Sequence, residues 1–374
     1  MKLREWQGKA REIWFEKECK GTVEACTGSG KTVFAVSIIK DIKGKVLILV
    51  PTIALMKQWK GELKKFGIDA GIYYGVKKEP KRVTIAVLNS IRTKFIKGCE
   101  LLVADECHKL FSPKNSDFII FNEWNKILGL SATTEDNGMT EKNKYFLKIA
   151  PVCYRYDIKQ AQDDGVLAKF KMIDVPVQFN EKEAAKYKKY DLNVKSLMAE
   201  FGNNIIQIFA QANKGNIQAI KCQRFISLRK RTIFEAEAKK EKAIELLTNL
   251  NGQKAIVFDE TIKGVEEIRK VLLYNNIGCG IYHSKMKAKE KAKIFDDFRE
   301  NRIRIMLSVR SLDEGIDVPD CDCAIIINGT QVNRQFIQRV GRVLRITDDD
   351  KVSTIYQIFI PGTKDADWLR NRRK

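Results

Sequence analysis

The chain has 374 residues, 44% of them hydrophobic, and its 68 Lys and Arg outnumber 47 Asp and Glu for a net charge of +21. This length predicts two or three domains with real cores, and the charge favours a polyanionic partner, nucleic acid before membrane. Met1 to Ala10 is polar and charged, and no apolar run approaches the ~20 residues of a membrane span, so an intracellular protein is expected, in the nucleoid or, for a viral chain, in the host cytoplasm. Nine cysteines and two histidines, with no Cys-x-x-Cys pair, predict neither a disulfide framework nor a zinc site.

Leu3 to Ala10 comes first. Its Gln7 carries an amide able both to donate to and to accept from the edge of an adenine. Thr22 to Ala25 reads as a strand and Thr32 to Ile42 as a helix stopping at Gly44. Between them runs Ala25-Cys26-Thr27-Gly28-Ser29-Gly30-Lys31-Thr32. Strand, Gly-rich loop and helix are the setting of a phosphate cradle. Thr27 to Gly30 form the cradle, and Gly28 and Gly30 let backbone N–H groups turn onto phosphate oxygens. Lys31 adds a point charge, the helix N-terminus faces the anion, and Thr32 is a candidate Mg²⁺ ligand. The match to GxxxxGK[ST] is incomplete, because Ala25 stands at the first glycine.

Lys45 to Val50 is a buried-strand pattern, followed by Pro51-Thr52 and a helix with Leu55 and Trp59. Val83 to Leu88 is another strand, ending at Asn89-Ser90. Pro51, Thr52, Asn89 and Ser90 could contact a sugar-phosphate backbone or serve as plain helix caps. Leu101 to Ala104 runs into Asp105-Glu106-Cys107-His108, a parallel strand delivering carboxylates to its C-terminal edge. There Asp105 would hold Mg²⁺ opposite Thr32, and Glu106 would act as general base on water. Ile127 to Leu130 ends in Ser131-Ala132-Thr133, small residues suited to packing between moving parts and relaying hydrogen bonds.

A second domain, 169–374 after a first of 1–168, begins with a strand at Lys171 to Phe179. Residues 181–240 are Lys-rich, lack Pro and carry apolar residues at helical intervals, which predicts a helical insertion with a basic face. Strands then recur at Ala255 to Phe258, Gly280 to His283, Ile303 to Ser308, Ala324 to Ile327 and Ile355 to Ile360, the pattern of a second parallel sheet. Cys321 and Cys323 read as strand residues on one face. In Gln338 to Arg345, Arg339, Arg342 and Arg345 recur every three residues on one helical face, and a planar guanidinium suits a γ-phosphate.

The loop, Asp-Glu-x-His and Ser-Ala-Thr, in this order, resemble motifs I, II and III of superfamily 2 helicases. Val257 to Thr261 resembles motif IV, Ser311 to Pro319 motif V and Gln338 to Arg345 motif VI. Leu-Arg-x-x-Gln near the start and Asp-Glu-Gly-Ile-Asp-Val-Pro are most similar to the XPB and UvsW group. The resemblance implies an α/β fold of two RecA-like parallel-sheet domains with an ATP cleft between them, and ATP and Mg²⁺ as cofactors. It implies Lys31, Asp105 and Glu106 as catalytic residues, with Arg342 and Arg345 as fingers from the other domain. Gly315, Asp317, Gln338 and Arg339 join the nucleotide site, His283, Ser284 and Ser311 join the nucleic-acid contacts, and Ser131 and Thr133 couple the two. The implied partner is DNA, single-stranded, forked or branched, ahead of RNA, handled 3′ to 5′ by a minimal monomeric motor in replication, recombination or repair. Rival readings are a duplex translocase that does not separate strands, a nucleic-acid-binding protein without catalysis, and a small-molecule kinase. The last leaves the second sheet and its arginine face unexplained.

Overall fold

A computed structural model describes residues 2–111, 113–134, 145–167, 169–283, 285–309, 321–329 and 352–373. These form two compact units, the first running to Lys169 and the second starting at Phe170.

The first unit carries strands β1 (Lys20–Ala25), β2 (Lys45–Val50), β3 (Ala70–Tyr74), β4 (Lys77–Glu79), β5 (Val83–Val87), β6 (Cys99–Asp105), β7 (Lys126–Ser131) and β8 (Val152–Tyr156). Its helices are α1 (Glu5–Glu16), α2 (Lys31–Asp41), α3 (Ile53–Lys65), α4 (Leu88–Ile91), α5 (Pro113–Ile120), α6 (Tyr145–Ile149) and α7 (Ile158–Asp163). The strand order is β4-β3-β5-β2-β6-β7-β1-β8, parallel except where β4 pairs with β3. The near-continuous apolar runs have the cause expected of parallel strands covered on both faces. In β2, Val46, Ile48 and Val50 point into a core shared with Phe34 and Ile38 of α2 and Trp59 and Leu63 of α3. Leu47 and Leu49 point the other way, into a core with Phe118 and Ile119 of α5.

Because the strands are parallel, the ends of β1, β2, β5, β6 and β7 lie along one carboxyl edge. The segments starting Cys26, Pro51, Leu88, Glu106 and Ala132 therefore share that edge, where open α/β sheets bind ligands. The strand expected to reach Leu88 ends at Val87, and Asn89 and Ser90 lie in the helical turn α4.

The second unit comprises β9 (Phe170–Pro176), α8 (Glu181–Ala199), α9 (Ile205–Asn213), α10 (Ile217–Phe234), α11 (Glu237–Thr248), β10 (Ala255–Asp259), α12 (Ile262–Tyr274), β11 (Cys279–Tyr282), α13 (Ala288–Arg299), β12 (Ile305–Val309), β13 (Cys323–Ile326), β14 (Ser353–Phe359) and α14 (Lys364–Arg373). Its sheet is wholly parallel in the order β11-β12-β10-β13-β14-β9. Helices α8 to α10 form the insertion around their own small core of Phe201, Ile208, Ala219 and Cys222. Residue 240 falls inside α11, a helix of the sheet layer whose Ala243 and Leu247 enter the main core. Lys-rich composition does not mark that boundary, since α11 is itself Lys-rich and buries only one stripe.

Lys239, at 0% exposure, anchors α11. Its ammonium lies 2.6 Å from Asp365 Oδ2 and donates to Ile327 O and Asn328 Oδ1, both at 2.9 Å. Asn328 Nδ2 in turn donates to Asp259 Oδ1 at 2.7 Å and to Phe234 O at 2.9 Å. The base of the insertion, the carboxyl edge of the sheet and α14 are thus joined by one buried polar network. Among the described residues, no helix is long and apolar enough to cross a membrane.

Candidate active site

The Gly-rich loop leaves β1 after Ala25 and enters α2 at Lys31. Gly28 and Gly30 have φ of +86° and +98°, the left-handed region that admits glycine without a Cβ clash. Side chains hold the carbonyls of Ala25, Cys26, Ser29 and Gly30. Arg4 Nη1 donates to Ser29 O at 3.3 Å, and Gln7 Nε2 to Gly30 O at 3.0 Å. Ser29 Oγ donates to Cys26 O at 2.7 Å, and Lys31 Nζ to Ala25 O at 2.7 Å and Cys26 O at 3.3 Å. With its carbonyls held in this way, what the loop offers an anion is its amides at a helix N-terminus.

Gln7 is buried, and its Oε1 accepts from Arg4 N at 2.8 Å while one N–H is spent on Gly30. The amide expected to face an adenine thus also braces the phosphate loop, with its second N–H remaining to it. Thr27 and Ser29 are buried, and Thr32 is half-buried in the first turn of α2.

Asp105 closes β6. Its Oδ2 accepts from Trp59 Nε1 at 2.7 Å and its Oδ1 from Glu106 N at 3.0 Å. Burial, and then the neighbouring Glu106 charge, raise its pKa from 3.8 to about 6, against the opposing pull of the Trp59 hydrogen bond and the Lys31 ammonium. Lys31 and Asp105 therefore feel each other across the carboxyl edge. Glu106 sits at φ +50°, a left-handed backbone unusual for a long side chain. Its Oε2 lies 3.4 Å from His108 Nδ1, which is 3.1 Å from Ser131 Oγ. Ser131 Oγ donates to Thr133 O at 2.5 Å and accepts from Thr133 N at 3.2 Å. A chain of polar contacts thus runs from the end of β6 to the end of β7.

A hydroxyl on Thr32, a carboxylate on Asp105 and a lysine in the loop make a hard-oxygen donor set beside a cation, chemically suited to Mg²⁺ carried on phosphate oxygens. The raised pKa of Asp105 fits this, since a half-buried carboxylate beside a second acid gains from a cation placed between them.

On the same edge Thr52 caps α3, its Oγ1 accepting from Leu55 N at 3.2 Å, so the capping alternative holds while the hydroxyl proton stays available. Pro51 is half-buried beside it, Asn89 is exposed, and Ser90 Oγ accepts from Gly75 N at 3.1 Å. In the second unit, His283 follows β11, and its Nδ1 has no hydrogen-bond partner among the described residues. Ser284, Ser311, Gly315, Asp317, Gln338, Arg339, Arg342 and Arg345 lie outside the described residues.

Sequence reasoning missed Trp59, Arg4 and the linking role of His108. The available signal for Trp59 was its place on the apolar stripe Met56, Trp59, Leu63, a lone polar N–H on a buried face that needs a partner.

Two family models match the chain, "Type III restriction enzyme, res subunit" over residues 1–136 and "Helicase conserved C-terminal domain" over residues 238–347. The DNA 3'-5' translocase XPB2 of Sulfurisphaera tokodaii is 29% identical over 388 residues, covering 100% of this chain and 85% of that protein. The DNA 3'-5' helicase XPB of Kineococcus radiotolerans is 24% identical, covering 100% of this chain but 62% of its own length. The crystal structure of the Pyrococcus furiosus Hef helicase domain superposes with a TM-score of 0.62 at 18% identity over 98% of both chains, a likeness of fold.

Proposed function

Since the chain belongs to superfamily 2 of the helicases, beside XPB, we propose that it is an ATP-dependent DNA helicase that moves 3′ to 5′ and opens or remodels forked and branched DNA. The observation carrying this reading is the meeting, on one sheet edge, of the Lys31 loop with Asp105 and Glu106, and their link through His108 to Ser131.

On this reading ATP lays its phosphates on the amides of Thr27 to Thr32. Lys31 exchanges the carbonyls of Ala25 and Cys26 for phosphate oxygens. Thr32 and Asp105 would hold the Mg²⁺, which neutralises developing phosphate charge when bound. Glu106 orients a water and takes its proton, and the left-handed backbone fixes the direction of that carboxylate. Arg342 and Arg345 would act as fingers on the γ-phosphate, the role that their motif implies. Pro51, Thr52, Asn89, Ser90, His283, Ser284 and Ser311 would grip the DNA backbone, so binding should be insensitive to sequence and weaken steeply with salt.

Supporting the DNA partner are the net charge of +21 and an insertion whose residues 201–234 contain no Asp or Glu. Exposed Ile206, Phe209 and Ile217 stand among those basic and amide side chains. Excising the insertion should lower unwinding more than basal ATPase. The cut must close before α11, because removal through residue 240 also takes Lys239 out of the buried network.

The deciding experiment measures ATP turnover and strand separation on single strands, duplex, forks, four-way junctions and RNA hybrids. Lys31→Ala and Glu106→Gln should each abolish DNA-stimulated turnover, with Glu106→Gln still binding ATP. Normal turnover in either variant would overturn the site. Stimulation by duplex with no displacement on a fork would instead favour translocation without strand separation.

A further inference from the structure

Trp59 is 0% exposed at the centre of the buried stripe of α3. Its indole has one donor and no acceptor, and that donor goes to Asp105 Oδ2 at 2.7 Å across 46 positions of sequence. With Oδ1 already accepting from Glu106 N, the carboxylate is oriented at both oxygens. Packing alone would accept a phenylalanine here; the N–H is what ties the helix to the carboxylate.

The other end of α3 points to what the tie is for. The helix is capped by Thr52, two turns before Trp59 and, at 3.6 residues per turn, on the same face. Met56, Trp59 and Leu63 seat that face in the core shared with β2, so one packed face joins the two ends of the helix. A phosphate drawn to the N-terminus of α3 acts on one end of this bar, and the Trp59 hydrogen bond to Asp105 is its other end.

We propose that Trp59 is a positioning residue for Asp105, and that α3 is the lever by which DNA held at Pro51-Thr52 sets the orientation of the carboxylate that takes the nucleotide's metal. This rests on the motor reading above. DNA on the edge favours one seating of α3, and that seating favours the metal-binding orientation of Asp105. By reciprocity, metal with nucleotide at Asp105 raises the affinity of the same edge for DNA.

The test compares wild type with Trp59→Phe, which keeps a buried ring and removes the N–H. Binding of Mn²⁺ with ADP, followed by the electron paramagnetic resonance of the ion, should weaken about tenfold in the variant, within the range for lost outer partners of metal ligands. The ratio of turnover with oligo-dT to turnover without it should fall toward one. Equal Mn²⁺ affinity and an equal ratio in both proteins would overturn the lever while leaving the motor intact; a wild type that oligo-dT does not stimulate would overturn the motor reading itself. A second measurement needs no change at position 59. The Trp59 indole N–H resonance, assigned by substituting the four other tryptophans in turn, should be broadened by Mn²⁺ with ADP and shifted by oligo-dT alone. An indole signal unmoved by oligo-dT would sink the lever.

Discussion

His108 Nδ1 lies 3.1 Å from Ser131 Oγ, and the direction of that contact follows from its neighbours. Ser131 spends its proton on Thr133 O at 2.5 Å, so its oxygen must accept from His108, and the imidazole carries its hydrogen on Nδ1 in this arrangement. Glu106 Oε2, 3.4 Å from the same nitrogen, faces a donor.

Ser131→Ala therefore strands the Thr133 N–H and takes from His108 Nδ1–H one of the two oxygens facing it, leaving Glu106 Oε2. A loss of about 1–3 kcal/mol in stability is expected from unpaired buried groups, together with a larger fall in strand separation than in ATP turnover. Chemical denaturation and a fork-displacement assay on the same preparation check both; a proportional fall in the two activities would remove the relay.

The raised pKa of Asp105 gives a pH dependence with a definite sign. The folded carboxyl holds its proton up to about 6, whereas in the unfolded chain it returns toward 3.8. Within that window the folded state binds the extra proton, so this group's contribution to stability is full on the acid side and is lost as pH rises through the window. The melting temperature of nucleotide- and metal-free wild type, minus that of Asp105→Asn, should fall from about pH 4 to about pH 6. Binding of Mg²⁺ with ADP should move oppositely, strengthening as the carboxyl ionises.

Lys239→Met breaks the buried pair with Asp365 and leaves that carboxylate without its cation. The expected cost is about 3–5 kcal/mol, read by urea unfolding. Adding Asp365→Asn removes the stranded charge and should recover part of the loss, though the Asn328 and Ile327 acceptors stay unmatched. A double variant no more stable than the single one would contradict the charge-based account.

Gly30→Ala meets two obstacles. Its φ of +98° is hostile to a Cβ, and the new carbon would lie 2.9 Å from Gln7 Nε2, displacing the amide that braces the loop. A destabilisation of about 1–3 kcal/mol is expected, with ADP affinity falling more than the global stability. Gly8→Ala, inside α1 where a Cβ meets nothing within 4 Å, should leave ADP affinity nearly unchanged and raise global stability by about 0.5–1 kcal/mol.

What the sequence made legible was local. The acids after Ala104 and the small residues after Leu130 each follow a short apolar run, the pattern of a parallel strand covered on both faces, and the Gly-rich loop is marked by its own glycines and the lysine that follows them. The partners of those residues were not legible. Trp59 finds Asp105 across 46 positions, and Lys239 finds Asn328 across 89. Both choices depend on which helix face meets which strand end. The amide of Gln7 illustrates the same limit, since its chemistry suits an adenine and a loop carbonyl equally, and only the fold brings Gly30 to it.

Glu106 holds its backbone at φ +50°, a conformation that asparagine adopts with less penalty than glutamate. Selection for chemistry and selection for durability therefore disagree at this one position. Glu106→Asn should give a protein without turnover that outlasts the active one on heating, and a screen for thermostability alone would drift toward disabled motors through residue 106.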